Sequence, residues 1–302
     1  MDRSKLLKKA QAVLKKNWAG KFTKPSPKLY PHQWGWDSGF IAIGYANYDL
    51  KKAEQELLSI FEGQWKNGMV PHIVFNKRSK GYFPGPKYWD IKISRNSPEN
   101  KFTSAITQPP TQAIAAYSIY EKSKNKREAK RFLKKIFPKL LKFHNYLHTE
   151  RDPENSGLAT IVHPWESGSD DSPRWDEALS KIKPKNVPKY KRVDLTHVHS
   201  ASERPTNKQY DKFIYLIEMM KRCSYDIKEI YHKAPFLVKD VVFNSILCVA
   251  NQDMIKIGEI IGEDSSEVEE WNNATKENFI EKLCTHPEKK CLFYDYDIIA
   301  DK

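Results

Sequence analysis

Apolar residues recur along most of this chain at three- and four-residue spacing, the period of a helix with one buried face, and two-residue alternation is scarce. The spacing predicts helices over 3–17, 37–49, 51–66, 108–122, 125–148, 173–182, 207–231, 237–261 and 265–284. The run 125–148 is the clearest, with Phe132, Ile136, Leu140, Phe143 and Leu147 on one stripe. Start signals support two boundaries. Ser172 before Pro173 reads as an N-cap followed by proline at the first helical position, with Asp176 and Glu177 suited to the helix dipole. Ser265 and Ser266 precede Glu267, Glu269 and Glu270 in the same way.

Long connections rich in aromatics, proline and glycine separate these helices, over 18–36, 68–107, 150–172 and 183–206. Loops of that length inside a compact domain usually carry function. Alternating short and long connections predict a toroid of helical hairpins whose long loops gather at one mouth. No linker divides residues 1–302, so one domain is expected, and no repeat marks a simple solenoid.

Composition narrows the classes. An aromatic content of 12% argues against disorder. No apolar run reaches the ~18 residues of a membrane span; the best, 236–250, carries Lys239 and Asp240. The first twenty residues have basic charge but no apolar core of a secretory signal, so a soluble cytoplasmic protein is expected. The net charge of +13 raises nucleic-acid binding. However, Lys5, Lys8, Lys9, Lys15 and Lys16 lie off the Leu7, Ala10, Leu14, Trp18 stripe, as a solvated face does, which favours a solubility effect. Cys223, Cys248, Cys284 and Cys291 show no CxxC spacing and are expected as reduced thiols.

Three segments carry chemistry. Tyr30-Pro-His-Gln-Trp34-Gly-Trp36-Asp37 sets a phenol and two indoles before a carboxylate that opens a helix. Aromatic faces pack on sugar C–H faces while a carboxylate accepts from neighbouring hydroxyls; a structural tryptophan pair with Asp37 as an N-cap fits equally. The stretch 163–176 holds Glu166, Asp170, Asp171 and Asp176 flanked by Trp165 and Trp175. Glycoside hydrolysis needs one protonated carboxylic acid and a second carboxylate across the sugar. Most of these carboxylates also suit caps and ion pairs, and composition does not say which is the donor. Gln108, before Pro109-Pro110 at a helix start, points into a cavity or caps its own helix. His197 and His199 could share one strand face, but without a third ligand at a recognisable spacing no metal is assigned. GxGxxG, Walker and GxSxG motifs are missing from the sequence.

Together these segments resemble the clan of inverting glycosidases built on an (α/α)6 toroid. Within it they are most similar to the glucosylglycerate and mannosylglycerate hydrolases of glycoside hydrolase family 63, with trehalases and processing α-glucosidases more distant. The resemblance runs through WGWDSGF at 34–40, the turn 68–72, TQPPTQA at 107–113, HPWESGSDDSPRWD at 163–176, Gln209-Tyr210-Asp211, 235–244 and 293–297. It implies Asp170 as general acid and Tyr30, Trp34, Trp36 and Asp37 around the cleaved sugar. It adds Gln108 and Trp165, and completes the pocket with Tyr82 or Tyr88, Arg204 and Tyr210. A basic residue is implied for the substrate carboxylate, which an arginine fork suits. Neither metal nor cofactor is implied.

One departure stands out. The family closes its ring with twelve helices and takes its base from a late glutamate, and neither the last helices nor that segment has a counterpart before Lys302. Asp37, Glu203 and Asp240 are available carboxylates outside the family's base position. The expectation is an all-α (α/α)6 toroid, incomplete at its C-terminal side, with an exposed apolar flank on the Asp240 helix. The implied partner is a small carbohydrate, with room for a second copy or a complementing chain. Trehalase-like or α-glucosidase-like hydrolysis, or sugar binding without catalysis, are the alternatives.

Overall fold

The computed structural model describes residues 2–285 and 292–302. In chain order it contains α1 (Arg3–Asn17), β1 (Gln33–Trp34), α2 (Gly35–Ala46), α3 (Leu50–Ile60), β2 (Ile73–Val74), α4 (Pro86–Trp89), α5 (Thr111–Lys122) and α6 (Lys126–Thr149). After these come α7 (Asp176–Ser180), α8 (Asn207–Arg222), α9 (Ile227–Lys233), β3 (Val238–Lys239), α10 (Val241–Ile261) and α11 (Ser266–Leu283). Three two-residue strands follow: β4 (Cys284–Thr285), β5 (Leu292–Phe293) and β6 (Tyr296–Asp297). The fold is all-α, and the strands only clip loops together, β1 to β2, β3 to β6 and β4 to β5, each pair antiparallel.

Three helical hairpins make the frame: α2 with α3, α5 with α6, and α10 with α11. Helix α5 is central, with α2 on one side and α10 on the other. Its small buried residues Ala113, Ala115 and Ala116 let the neighbours come close. Gly39 of α2 is required there, because a Cβ at that position would lie 2.2 Å from Thr111 Oγ1. Thr111 Oγ1 donates to Trp36 O at 2.8 Å and Gln112 Nε2 to Gly35 O at 2.7 Å, so α2 and α5 start side by side and run parallel. Helices α2 and α5 are entered from long loops and α10 from the shorter connection 234–240, and all three are left through short turns, at 47–49, 123–125 and 262–265. For α2 and α5 the incoming loops therefore collect at one end of the frame.

Helices α2 and α10 form no packed pair among the described residues. Val242 and Val249 of α10 and Phe40 of α2 are exposed, the apolar flank expected of an open arc.

Several boundaries depart from the sequence reading. The run 207–231 is two helices, broken where Ser224 and Tyr225 take positive φ of 50° and 58°. The run 51–66 stops at Ile60, and 173–182 becomes a 3-10 turn, Pro173–Trp175, followed by α7. Ser172 does cap that turn, accepting from Arg174 N. Ser265 makes no capping bond; Asp264 accepts from Ser266 N at 3.0 Å instead. Cys223 and Cys248 are free thiols, but Cys284 is disulfide-bonded, against the expectation of four reduced cysteines. Cys291 lies outside the described residues. No described helix is long and apolar enough to cross a membrane.

Candidate active site

The loops leading into the helices enclose a cleft with an empty volume of about 720 Å3. Its wall includes Tyr30, Trp34, Tyr82, Trp165, Asp170, Arg204 and Tyr210 from the sequence reading. Tyr88, in α4, does not line it; its ring sits edge-on to Phe83 at 4.9 Å. Between the two tyrosines considered, Tyr82 is the one in the cleft.

The aromatic wall is held by ring contacts and the first hairpin. Tyr30 meets Trp34 edge-on at 5.2 Å, and Tyr82 meets Trp34 at 5.8 Å and His32 at 4.7 Å. Trp165 stacks near His72 at 6.2 Å and meets Tyr210 at 6.0 Å. Strand β1 pairs Trp34 with Ile73, which fixes this wall against the 68–107 loop. Burial lowers the His72 pKa to about 3, so its ring is neutral; Ser104 Oγ lies 3.1 Å from its Nδ1.

Trp36, Asp37 and Gln108 sit beside the cleft. Asp37 is not the N-cap of α2, which starts two residues earlier. The helix is capped from other loops: Gly35 N donates to His72 O at 2.9 Å and Trp36 N to Gln108 Oε1 at 3.2 Å. Gln108 thus caps α2, not its own helix. The Trp36 indole covers Gly168, where a Cβ would come within 2.4 Å of the ring, and Gly168 also needs its positive φ of 73°. That contact anchors the loop carrying Asp170.

The carboxylates of 163–176 separate cleanly. Glu166 is fully buried in an ion pair with Arg151 and also accepts from Val162 N at 2.7 Å and Thr107 N at 3.0 Å. Asp176 is an exposed first-turn residue of α7. Asp170 is half-buried and lines the cleft. Burial raises its pKa to about 7; Arg204 opposes the rise, and the negative charges of Asp37 and Asp171 add to it. Burial likewise lifts Asp37 to about 6.

Opposite Asp170 lies a cationic network that the sequence reading found only in part. Arg204 donates to Tyr30 Oη at 2.9 Å and to Asp194 at 3.1 Å, while Arg192 grips the same carboxylate at 2.6 and 3.1 Å. Burial works against the Asp194 charge, but the two guanidinium groups outweigh it and hold the carboxyl below its ordinary range. Arg192 also lies 4.4 Å over the Tyr210 ring. Two arginines on one aspartate leave a net positive wall, with Lys28 and Lys80 at the mouth. His197 lines the cleft from a 3-10 turn, Asp194–His197, and not from a strand face. No group of three His, Cys, Asp or Glu among the described residues is placed to hold a metal ion. Arg192 and Asp194 fall in a loop without periodicity, and only their charge alternation beside Arg204 could have signalled them.

A family model for the mannosylglycerate hydrolase MGH1-like glycoside hydrolase domain matches residues 30–301. The chain belongs to this family. It is 42% identical over 280 residues to a mannosylglycerate hydrolase of Rubrobacter radiotolerans, covering 92% of this chain and 63% of that protein. It is 46% identical over 264 residues to one from Thermus thermophilus, covering 87% and 62%. A glucosylglycerate hydrolase of Mycolicibacterium hassiacum is 36% identical over 308 positions, covering 99% and 68%. The crystal structure of a family 63 mannosylglycerate hydrolase from Thermus thermophilus in complex with Tris superposes with a TM-score of 0.91 at 42% identity, over 98% of this chain and 69% of that one. The chain therefore spans a little under two thirds of the length of the first two relatives.

Proposed function

We propose that this chain forms the sugar pocket and proton donor of an inverting α-glycoside hydrolase acting on a small anionic glucoside or mannoside, such as glucosylglycerate or mannosylglycerate. Asp170 is the observation that carries the reading. It is a carboxyl held near pH 7 by burial, in an aromatic cleft, facing an arginine fork. A general acid works best with a pKa near the operating pH, because it is then both protonated and able to give the proton up.

In this mechanism Trp34, Trp165 and Tyr82 hold the sugar ring and exclude water. Arg204, oriented by Asp194 and Tyr30, receives the aglycone carboxylate, and Asp170 protonates the glycosidic oxygen. Inversion needs a second carboxylate to activate water on the opposite face. Asp240 caps α10 through Phe243 N and pairs with Arg174, and Glu203 is exposed outside the cleft. Asp37 does not line the cleft and acts on Asp170 through its charge. The base is therefore assigned to none of them, and its supply by sequence following residue 302 or by a complementing chain is part of the proposal. The names and likeness of the relatives support the substrate class.

The test is to incubate the protein purified from its source, together with whatever sequence or second chain supplies the base, with mannosylglycerate, glucosylglycerate and trehalose, following sugar release and calorimetric binding. Binding and release that favour the glycerate compounds are expected, with Asp170→Asn losing about 10²-fold or more of the release while keeping affinity. Binding without release in the parent protein supports a carbohydrate-binding role instead. Near-normal hydrolysis by Asp170→Asn refutes the assignment of the acid.

A further inference from the structure

Asp170 lies in a short loop between two 3-10 turns, Pro164–Ser167 and Pro173–Trp175. Upstream the loop is fixed by Trp36 on Gly168 and by Ser167 Oγ, which donates to Pro164 O at 2.7 Å and accepts from Ser169 N at 2.9 Å. Downstream, Ser169 O accepts from Ser172 N at 3.1 Å inside the loop, and one side-chain bond ties the loop to the next turn. Trp175 Nε1 donates to Ser169 O, next to Asp170, at 2.8 Å.

That indole is itself clamped. The Arg174 guanidinium lies 4.6 Å over its ring. Arg174 Nη1 donates to both oxygens of Asp295, at 2.9 and 3.0 Å, and Nη2 lies 3.1 Å from Asp240 Oδ2. Both carboxylates also serve the start of α10: Asp240 Oδ1 accepts from Phe243 N, and Asp295 Oδ1 accepts from Val241 N at 2.8 Å. Asp295 is brought there by the pairing of β6 with β3. A continuous path of contacts thus runs from the first turn of α10 through Arg174, Trp175 and Ser169 to Asp170.

We propose that Arg174 is a positioning residue for Asp170: held by Asp240 and Asp295, it keeps Trp175 on the Ser169 carbonyl and so sets how deeply the Asp170 carboxyl is sunk in the cleft. The consequence for catalysis rests on the reading of Asp170 as the proton donor. The positional claim stands without it. The Arg174 side chain is one-third exposed but its partner Asp240 is buried, so the substitution chosen is glutamine, which keeps a hydrogen-bond donor for that carboxylate, and retention of the fold is checked first.

The sign of the effect separates this role from simple electrostatics. Loss of a nearby positive charge raises a carboxyl pKa, whereas loosening the loop admits water and lowers it. The groups whose charge acts on Asp170 are Arg204 and Tyr30 from the facing wall, Tyr82 from its own loop, and Asp37 and Asp171; all remain in place. The experiment follows the aspartate side-chain 13C resonances through a pH titration, with Asp170→Asn identifying the Asp170 signal. In Arg174→Gln the Asp170 pKa is expected to fall by a unit or more, about a tenfold change in its ionisation constant, with Arg174→Lys intermediate and native circular dichroism retained. An unchanged or raised Asp170 pKa in folded Arg174→Gln overturns the proposal. Should that variant not fold, Asp295→Asn, which leaves Arg174 its contact with Asp240, decides: a smaller fall is expected and no fall refutes. Hydrolysis is not read at any step, so a failure of the proposed activity shows elsewhere.

Discussion

Glu166 stands inside the segment richest in candidate acids, yet the structure gives it a different task, and the difference is measurable. Its carboxylate forms a two-pronged pair with Arg151, Nη1 to Oε2 at 3.0 Å and Nη2 to Oε1, and neither side chain is more than 2% exposed. Arg151 further donates to Tyr146 Oη at 2.7 Å, and Glu166 accepts two backbone N–H groups from different loops. The Glu166→Gln change keeps shape and one acceptor oxygen but leaves the guanidinium charge uncompensated in the core. Breaking a buried pair from one side costs about 3–5 kcal/mol, a large part of an ordinary domain's ~5–15 kcal/mol. Adding Arg151→Met removes the stranded charge, so the double variant is expected to be more stable than Glu166→Gln alone. Urea unfolding followed by circular dichroism and tryptophan fluorescence measures both. At temperatures where Glu166→Gln is folded, its sugar affinity is expected within a few-fold of the parent. A cost below about 1 kcal/mol for Glu166→Gln, or strictly additive losses in the double variant, refutes the reasoning.

Three further outcomes follow from the geometry. Gly168→Ala places a Cβ within 2.4 Å of the Trp36 ring at a positive φ, so about 1–3 kcal/mol of stability and at least tenfold in sugar affinity are expected to be lost. Gly262→Ala, which meets nothing within 4 Å at a φ of 77° and lies away from the cleft, serves as the calorimetric control for positive φ alone. If Asp170 is the acid, kcat/KM falls as pH rises through about 7, because the active form is the protonated one; a limb near 4 instead would count against it. Burial lowers His144 and His148 to about 4 and about 3, below their unfolded value. Their contribution to stability is therefore present above pH 6.5 and is lost as pH falls toward 4, at up to about 1.4 kcal/mol per pH unit each. His148→Phe, which keeps the stacking on Trp271 at 4.9 Å, is expected to flatten the fall of Tm between pH 6.5 and 4.5, and an identical slope would remove this account.

The frame was legible because its signals are local. Helix α6 follows a stripe of five apolar residues, and each hairpin turn sits where the periodicity lapses. The errors have a common cause, contacts made far away in sequence. Periodicity runs through 207–231 because Met219, Met220, Ile227 and Ile230 keep the apolar phase across the break. The chain turns there because the buried Tyr225 hydroxyl donates to Trp89 O and its ring meets Trp65 at 6.1 Å. Asp37 looked like a cap for want of any local sign that His72 and Gln108 would do the capping. The Cys284 disulfide left no CxxC spacing to read.

The site divides along the same line. A chemical role was visible where a motif concentrates unusual groups, as with Asp170 among indoles. What gives that carboxyl its character is not in the motif. It comes from Trp36 pressed on Gly168, from Asp37 at the start of α2, and from Arg204 brought across by Asp194. These sit in the first turn of α2 and on the stretch between α6 and α8, which meet at the end of the frame where α2 and α5 start. An all-α frame of this kind gathers its chemistry by where its long loops enter, not by which helix they follow. The prediction is general within this chain. Substitutions at the short turns 47–49, 123–125 and 262–265 should change stability without changing sugar affinity, while equal losses of stability at 163–176 should change both. A turn substitution that altered affinity as strongly as one in the acid loop would break that separation.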